Sequence, residues 1–173
     1  MSEYKPVTVV DTDDNPLGGM SFSDALATRA IRRLAKVFIR RSSGELFLQK
    51  RSETIALYPG VLDQSAGGHV DWGDSYEETA HKELREELGI DTELYEIAYL
   101  YAEEKGIGNP SLYTWSKIYL GTYDGDLTYA PEEVAGGEWL LVAEIDERLR
   151  TDPDAFVPAF HEVWRVSRDA LLS

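Results

Sequence analysis

The chain has 173 residues, 43% hydrophobic and 11% aromatic, which suits one packed core and argues against disorder. Seventeen Lys and Arg against 32 Asp and Glu leave a net charge of −15, a field that disfavours nucleic acids and anionic membranes as partners. With no cysteine, no membrane-length apolar run and a polar Met-Ser-Glu-Tyr-Lys start, disulfides, thiol catalysis, a spanning helix and a signal peptide are not expected, and a cytoplasmic protein is.

In chain order, Val7–Val10 reads as a short strand, and Asp13-Asp14-Asn15-Pro16 with Gly18-Gly19 as a turn. Ser23 is placed to cap a helix running through about Ala35, with Leu26, Ala30 and Leu34 on its apolar side and Arg29, Arg32, Arg33 and Lys36 as a basic stripe. Arg40, Arg41, Lys50 and Arg51 extend this basic region, in which Glu45 is the one acid. Such a region suits an anionic ligand, an acidic partner or an ordinary solvated face. Val37–Arg40, a Ser42-Ser43-Gly44 turn and Leu46–Gln49 predict a hairpin, followed by a loop from Arg51 to Pro59. Leu94–Tyr101 and Tyr113–Thr122 read as strands with a break at Gly106–Pro110 between them. Asp124-Gly125-Asp126 turns the chain, and Glu138–Val142 is a further strand. Helices over about Ala143–Leu149 and Pro158–Leu172 close the chain, Pro158 suiting a first helical turn.

The segment Gly68–Ile90 carries the most information. Ser75 with Glu78 three residues on forms a capping box that starts a helix, and Gly89 occupies the left-handed C-cap position that ends it near Leu88. Glu83, Glu86 and Glu87 are three and four apart, so their carboxylates share one face. In a cleft of effective dielectric near 20, anions ~5.5 Å apart repel by roughly 3 kcal/mol, so such a set calls for a cation, and hard oxygen donors suit Mg²⁺ or Mn²⁺.

These residues resemble the Nudix box, in which a glycine, five residues, a glutamate and seven residues precede Arg-Glu-U-X-Glu-Glu-X-Gly-U, with U a bulky aliphatic. Gly68, Glu83, Leu84, Glu86, Glu87, Gly89 and Ile90 fit at every required spacing. Asp74 stands where the family has Glu, and Lys82 where it has Arg. Lys82 lacks the planar fork that grips a carboxylate at two points, so a contact to Asp74 or a neighbouring carboxylate would be looser. The likeness extends through Leu46–Arg51, Tyr58-Pro59-Gly60, Ser65–Gly68 and Glu132-Glu133-Val134 with Trp139, about 110 residues from Lys36 to Val142. The alternation of strands and helices implies a mixed sheet covered on both sides, and the resemblance implies the α/β/α sandwich of that family. It implies one Nudix domain over residues 1–173, with an N-terminal hairpin and helix to about 35, a core from 36 to 145, and closing helices from 143 to 172.

The resemblance further implies metal-dependent hydrolysis of a diphosphate linkage in a nucleoside diphosphate derivative or similar small phosphorylated molecule. Glu83, Glu86 and Glu87 would hold Mg²⁺, or Mn²⁺. The general base would be Glu86 or Glu87 of the box, or Glu132 or Glu133. Gly67 and Gly68 would let backbone approach the diphosphate. Lys50 and Arg51 would contact a terminal phosphate, with a surface role equally open. For stacking on a flat group the candidates are Trp72, Tyr58, Tyr101, Tyr113 and Trp115; a core position is expected for Trp115, and Trp72 in its polar turn is the exception.

The opening segment and the Arg51–Gly60 loop resemble the Nudix branch that contains isopentenyl-diphosphate isomerases. Those enzymes need a catalytic cysteine and several histidine ligands. Gly67 occupies the cysteine's position here, and the chain holds only His69, His81 and His161. His69 reads as structural, and surface or packing roles suit the other two. A Nudix-like nucleotide-binding or regulatory domain without turnover, and a structural interaction protein, are the alternatives. A homodimer is left open.

Overall fold

The computed structural model of the protein describes residues 4–104 and 112–173, so the predicted break at Gly106–Pro110 lies outside the described residues. Its sheet contains β1 (Val7–Val10), β2 (Pro16–Met20), β3 (Ile31–Arg40), β4 (Leu46–Arg51), β5 (Leu62–Asp63), β6 (Ala66–His69), β7 (Leu94–Glu104), β8 (Leu112–Thr122) and β9 (Val134–Leu140). The helices are α1 (Phe22–Ala27), α2 (Tyr76–Leu88), α3 (Val142–Thr151) and α4 (Pro158–Leu172).

Strand β3 is the organiser. It pairs parallel with β8 along Arg32–Arg40 and antiparallel with β1, β6 and β4. Side-chain alternation sends Ala35, Val37 and Ile39 to one face, where Phe47, Tyr119 and the α2 residues Tyr76, Ala80, Leu84 and Leu88 bury them. Phe38 goes to the other face, among Leu46, Leu48, Ile118, Leu120, Ile145 of α3 and Phe160, Val163, Trp164 and Leu171 of α4. The result is the expected α/β/α arrangement around a mixed sheet.

Three expectations are corrected. The predicted helix from Ser23 to Ala35 is only the short α1, capped by Ser21, whose hydroxyl accepts from the Asp24 N–H at 3.1 Å. Arg29 lies in the left-handed region at φ 57°, and the chain enters β3 two residues later. The four-residue spacing of Leu26, Ala30 and Leu34 suggested helix, but pairing on both sides of β3 outweighs that local preference. The basic stripe therefore does not exist as a surface: Arg32 and Arg33 point to opposite faces, and Arg32 is 2% exposed. Gly18 and Gly19, expected within a turn, sit in β2, paired with Val9 and Thr8 of β1, and a Cβ on Gly19 would lie 2.8 Å from the Trp72 Cβ. The last strand is Val134–Leu140 rather than Glu138–Val142, and Val142 already begins α3.

The remaining elements appear close to expectation, including the β3–β4 hairpin, the 51–60 loop, β7, β8 and the two closing helices. The N-terminal hairpin is tied to the core through Asp14. Its carboxylate accepts from Arg33 at 2.7 Å, Tyr76 at 2.9 Å and Tyr99 at 2.5 Å.

Candidate active site

Helix α2 begins and ends as its sequence dictates. The Glu78 N–H donates to the Ser75 hydroxyl at 3.1 Å, the Ser75 N–H donates back to the Glu78 carboxylate at 2.7 Å, and Gly89 closes the helix at φ 66°. With both ends fixed, the helix presents Glu83 and Glu87 inward toward β4 and β6.

Glu83, Glu87 and Glu133 converge so that one carboxylate oxygen from each lies within 4.8 Å of the others. Glu83 is 9% exposed and Glu87 4%, while Glu133, in the turn before β9, is exposed. Gln49 of β4 donates to Glu87 at 2.9 Å. Among the described residues, the cations that act on the three are Lys82 at the side and, on Glu133, Arg51. Burial, then the charge of Glu86, raises the Glu83 pKa to about 7, despite Lys82 nearby. Burial and Glu83 push Glu87 well above the carboxylate range. Burial, Glu86 and Glu132 raise Glu133 as well. A set of carboxylates that resists ionisation this way is short of positive charge, and hard oxygen donors from three side chains fit a small divalent cation.

Glu86 is solvent-exposed and lies outside this tight group, although its charge reaches both Glu83 and Glu133. Gly68 forms the floor: a Cβ there would overlap the Glu83 carboxylate. On the neighbouring residue Gly67, a Cβ would lie 2.8 Å from the Ala35 carbonyl oxygen. Gly67 is therefore required by close approach to backbone, whereas a side chain at Gly68 would displace the Glu83 carboxylate.

The other predicted residues are more dispersed. Lys50 is exposed and lies 3.9 Å from the Glu53 carboxylate. Arg51 donates to the Tyr58 and Leu57 carbonyls at 3.1 and 2.9 Å and faces Asp63 at 3.5 Å, so it ties down the 51–60 loop. Trp72 is 49% exposed and packs against Gly19 of β2. Trp115 is half-buried, its ring centroid 4.7 Å from that of Tyr99 and 5.3 Å from that of Tyr101. His81 contacts Asp91 at 2.5 Å on the surface, and His161 lies 3.1 Å from the Pro153 carbonyl. His69 packs on Phe22 and contacts Arg32.

Lys82 does not reach Asp74. Its ammonium donates to Asp71 at 2.9 Å, and its pKa is raised: burial opposes the charge, but the Asp71 hydrogen bond and the charges of Asp71, Glu86 and Glu83 outweigh it. Gln49 and Asp71 are the site residues that sequence reasoning missed. For Gln49 the usable signal was its place two residues after Phe47, on the α2 side of β4; for Asp71 it was a second carboxylate three residues before Asp74.

A NUDIX domain model matches residues 30–160. The chain is 30% identical over 170 residues to an uncharacterised Nudix hydrolase of Pseudomonas aeruginosa, covering 98% of this chain and 96% of that one. It is 29% identical to an isopentenyl-diphosphate Delta-isomerase of Serratia proteamaculans, covering 91% and 88%. A crystal structure of a Deinococcus radiodurans protein superposes with a TM-score of 0.76 at 26% identity, covering 94% of this chain and 99% of that one. The Nudix domain of a Shewanella oneidensis protein, solved with ADP-ribose, shares the fold with a TM-score of 0.63 at 13% identity. An α/β/α sandwich with a glutamate-lined helix over a glycine floor defines the class. The chain belongs to the Nudix family, and it is a hydrolase.

Proposed function

We propose that the protein hydrolyses a diphosphate linkage in a nucleoside diphosphate derivative or similar small organic diphosphate, using Mg²⁺ or Mn²⁺. The observation that carries this reading is the convergence of Glu83, Glu87 and Glu133 within 4.8 Å in a largely buried setting. Glu83 and Glu87 would hold the metal, with Glu86 at the rim. When bound, the ion supplies charge neutralisation of the phosphate oxygens and polarisation of a water.

The residues of the chain supply the rest. Gln49 fixes the orientation of Glu87 through its amide. Gly68 keeps the floor open beside Glu83, so that backbone can lie close to the diphosphate. Glu133 is the exposed member of the group, and burial, Glu86 and Glu132 raise its pKa, which makes it a stronger base toward water than an ordinary carboxylate. Lys50, exposed on β4, is available to an outer phosphate. Isomerisation of isopentenyl diphosphate is not proposed: Gly67 has no nucleophile, and no cysteine exists elsewhere in the chain.

The test is Mg²⁺-dependent hydrolysis across a panel of nucleoside diphosphate derivatives, with Glu86→Gln and Glu87→Gln alongside. Turnover is expected in the wild type and a loss of at least ~100-fold in each variant, the scale for a charged group acting on the transition state. Absence of turnover across the panel overturns the activity. Undiminished turnover in both variants at saturating Mg²⁺ overturns the site.

A further inference from the structure

On the face of β3 opposite α2 lies a charge that the carboxylate site does not use. Arg32 is 2% exposed, yet among the described residues no carboxylate lies within ion-pairing distance of its guanidinium, and its Nε has no hydrogen-bond partner. Buried cations are ordinarily paired, so an unpaired one calls for a ligand or another explanation. Its guanidinium lies over the Phe22 ring, 5.4 Å from the centroid, and its one side-chain hydrogen bond among the described residues is Nη1 to the His69 Nε2 at 3.0 Å. Because arginine only donates, His69 accepts there and carries its proton on Nδ1.

Lys36 follows Arg32 on the same face, and both cations act on His69, which burial and then these charges hold at a pKa of about 3. The acid whose charge acts on Arg32 is Glu104 of β7, which accepts from the Tyr58 hydroxyl. Gln64 is 4% exposed, and its Oε1 has no partner; its amide flanks Gly67, the residue paired with Lys36. Two unpartnered buried polar groups thus lie on this face. Lys36 pairs with Gly67 of β6, and the next residue, Gly68, lies against the Glu83 carboxylate on the other face. Among the described residues β6 pairs with β3 alone, leaving its outer edge open.

We propose that Arg32 and Lys36 form a phosphate subsite on the side of β6 opposite the carboxylates, taking the outer phosphate of a substrate that passes around the Gly67–Gly68 edge. The assignment rests on the phosphorylated substrate proposed above, but binding is measurable without turnover. The experiment is calorimetric titration of the full chain with inorganic phosphate in EDTA, together with thermal melts, for the wild type, Arg32→Met, Lys36→Met and the surface control Arg165→Met. The wild type is expected to bind phosphate. Arg32→Met and Lys36→Met are expected to weaken binding at least ~10-fold, the scale for a hydrogen bond to a charged group. Arg165→Met removes the same charge and is expected to leave binding unchanged. Arg32→Met is also expected to melt at or above the wild-type temperature, because it removes an unpaired buried charge.

A folded wild type that does not bind phosphate overturns the subsite. So does an Arg32→Met chain that binds as the wild type does while melting lower, since that pattern means Arg32 only braces His69. If Arg32→Met fails to fold, the partly exposed Lys36→Met decides alone. Loss of phosphate binding in these variants without turnover by the wild type sinks the hydrolase reading and keeps the subsite. Turnover with phosphate binding indifferent to both variants does the reverse.

Discussion

Replacing Glu83 by Gln in the metal-free protein should make the chain more stable as pH rises. The raised pKa of Glu83 means that the folded state holds its proton between pH 4.5, the ordinary value, and about 7. The folded state therefore binds more protons than the unfolded state over that window, and this contribution to stability is full below 4.5 and lost as pH rises through 7. A rise from 4.5 to about 7 corresponds to about 3 kcal/mol. His69 runs the other way. Its pKa of about 3 lies below the usual 6.5, so its contribution is present above 6.5 and lost as pH falls toward 3, which masks the glutamate in the wild-type profile. The difference between Glu83→Gln and wild type cancels His69. In EDTA that difference should move in the mutant's favour by about 3 kcal/mol between pH 4.5 and 8, or roughly 6–12 °C in melting temperature for a chain of this size. Mg²⁺ at pH 8 should stabilise the wild type and do far less for the mutant. Denaturant or thermal unfolding at each pH gives the measurement, and a pH-independent difference would refute the shared-charge account of the site.

Gly68→Ala should abolish turnover while leaving a folded protein, because its Cβ overlaps the Glu83 carboxylate; wild-type activity and Mg²⁺ affinity in that variant would show that the floor is not needed. Gln49→Leu should raise the pKa of Glu87 further and weaken Mg²⁺ binding, by removing the donor at 2.9 Å; calorimetry with an unchanged Mg²⁺ affinity would count against it. In a double-mutant cycle, Lys82→Met and Asp71→Asn should couple by ~0.5–3 kcal/mol, as residues in contact do, whereas Lys82→Met and Asp74→Asn should be additive.

Local chemistry made part of this fold readable. The capping box and the glycine C-cap of α2 are written in Ser75, Glu78 and Gly89, and those signals act over four residues whatever the rest of the chain does. The β3–β4 hairpin is legible for the same reason. Strand β3 was not fully legible, because Leu26, Ala30 and Leu34 carry a helical spacing and the partners that make 31–36 a strand, β6 and β8, lie 31 to 82 residues further on (Lys36 to Gly67, Arg32 to Thr114). Pairing of that range leaves no local mark.

The site divides along the same line. Glu83 and Glu87 follow from helix periodicity, but periodicity gives angle and not depth, so Glu86 looks equivalent to them until β4 and β6 show which carboxylates are covered. Glu133 joins from a turn 46 residues past Glu87, brought in by the pairing of β9 with β4 rather than by anything in its own neighbourhood. Arg32 shows the converse. In the sequence it is one of a run of surface-like cations, and only strand alternation turns it inward while its neighbour Arg33 meets Asp14 on the other face. A chain with a net charge of −15 has carboxylates to spare for pairing every buried cation. That Arg33 has such a partner within hydrogen-bond distance while Arg32 has no carboxylate makes the missing ion pair a local arrangement of this face of β3 rather than a consequence of composition.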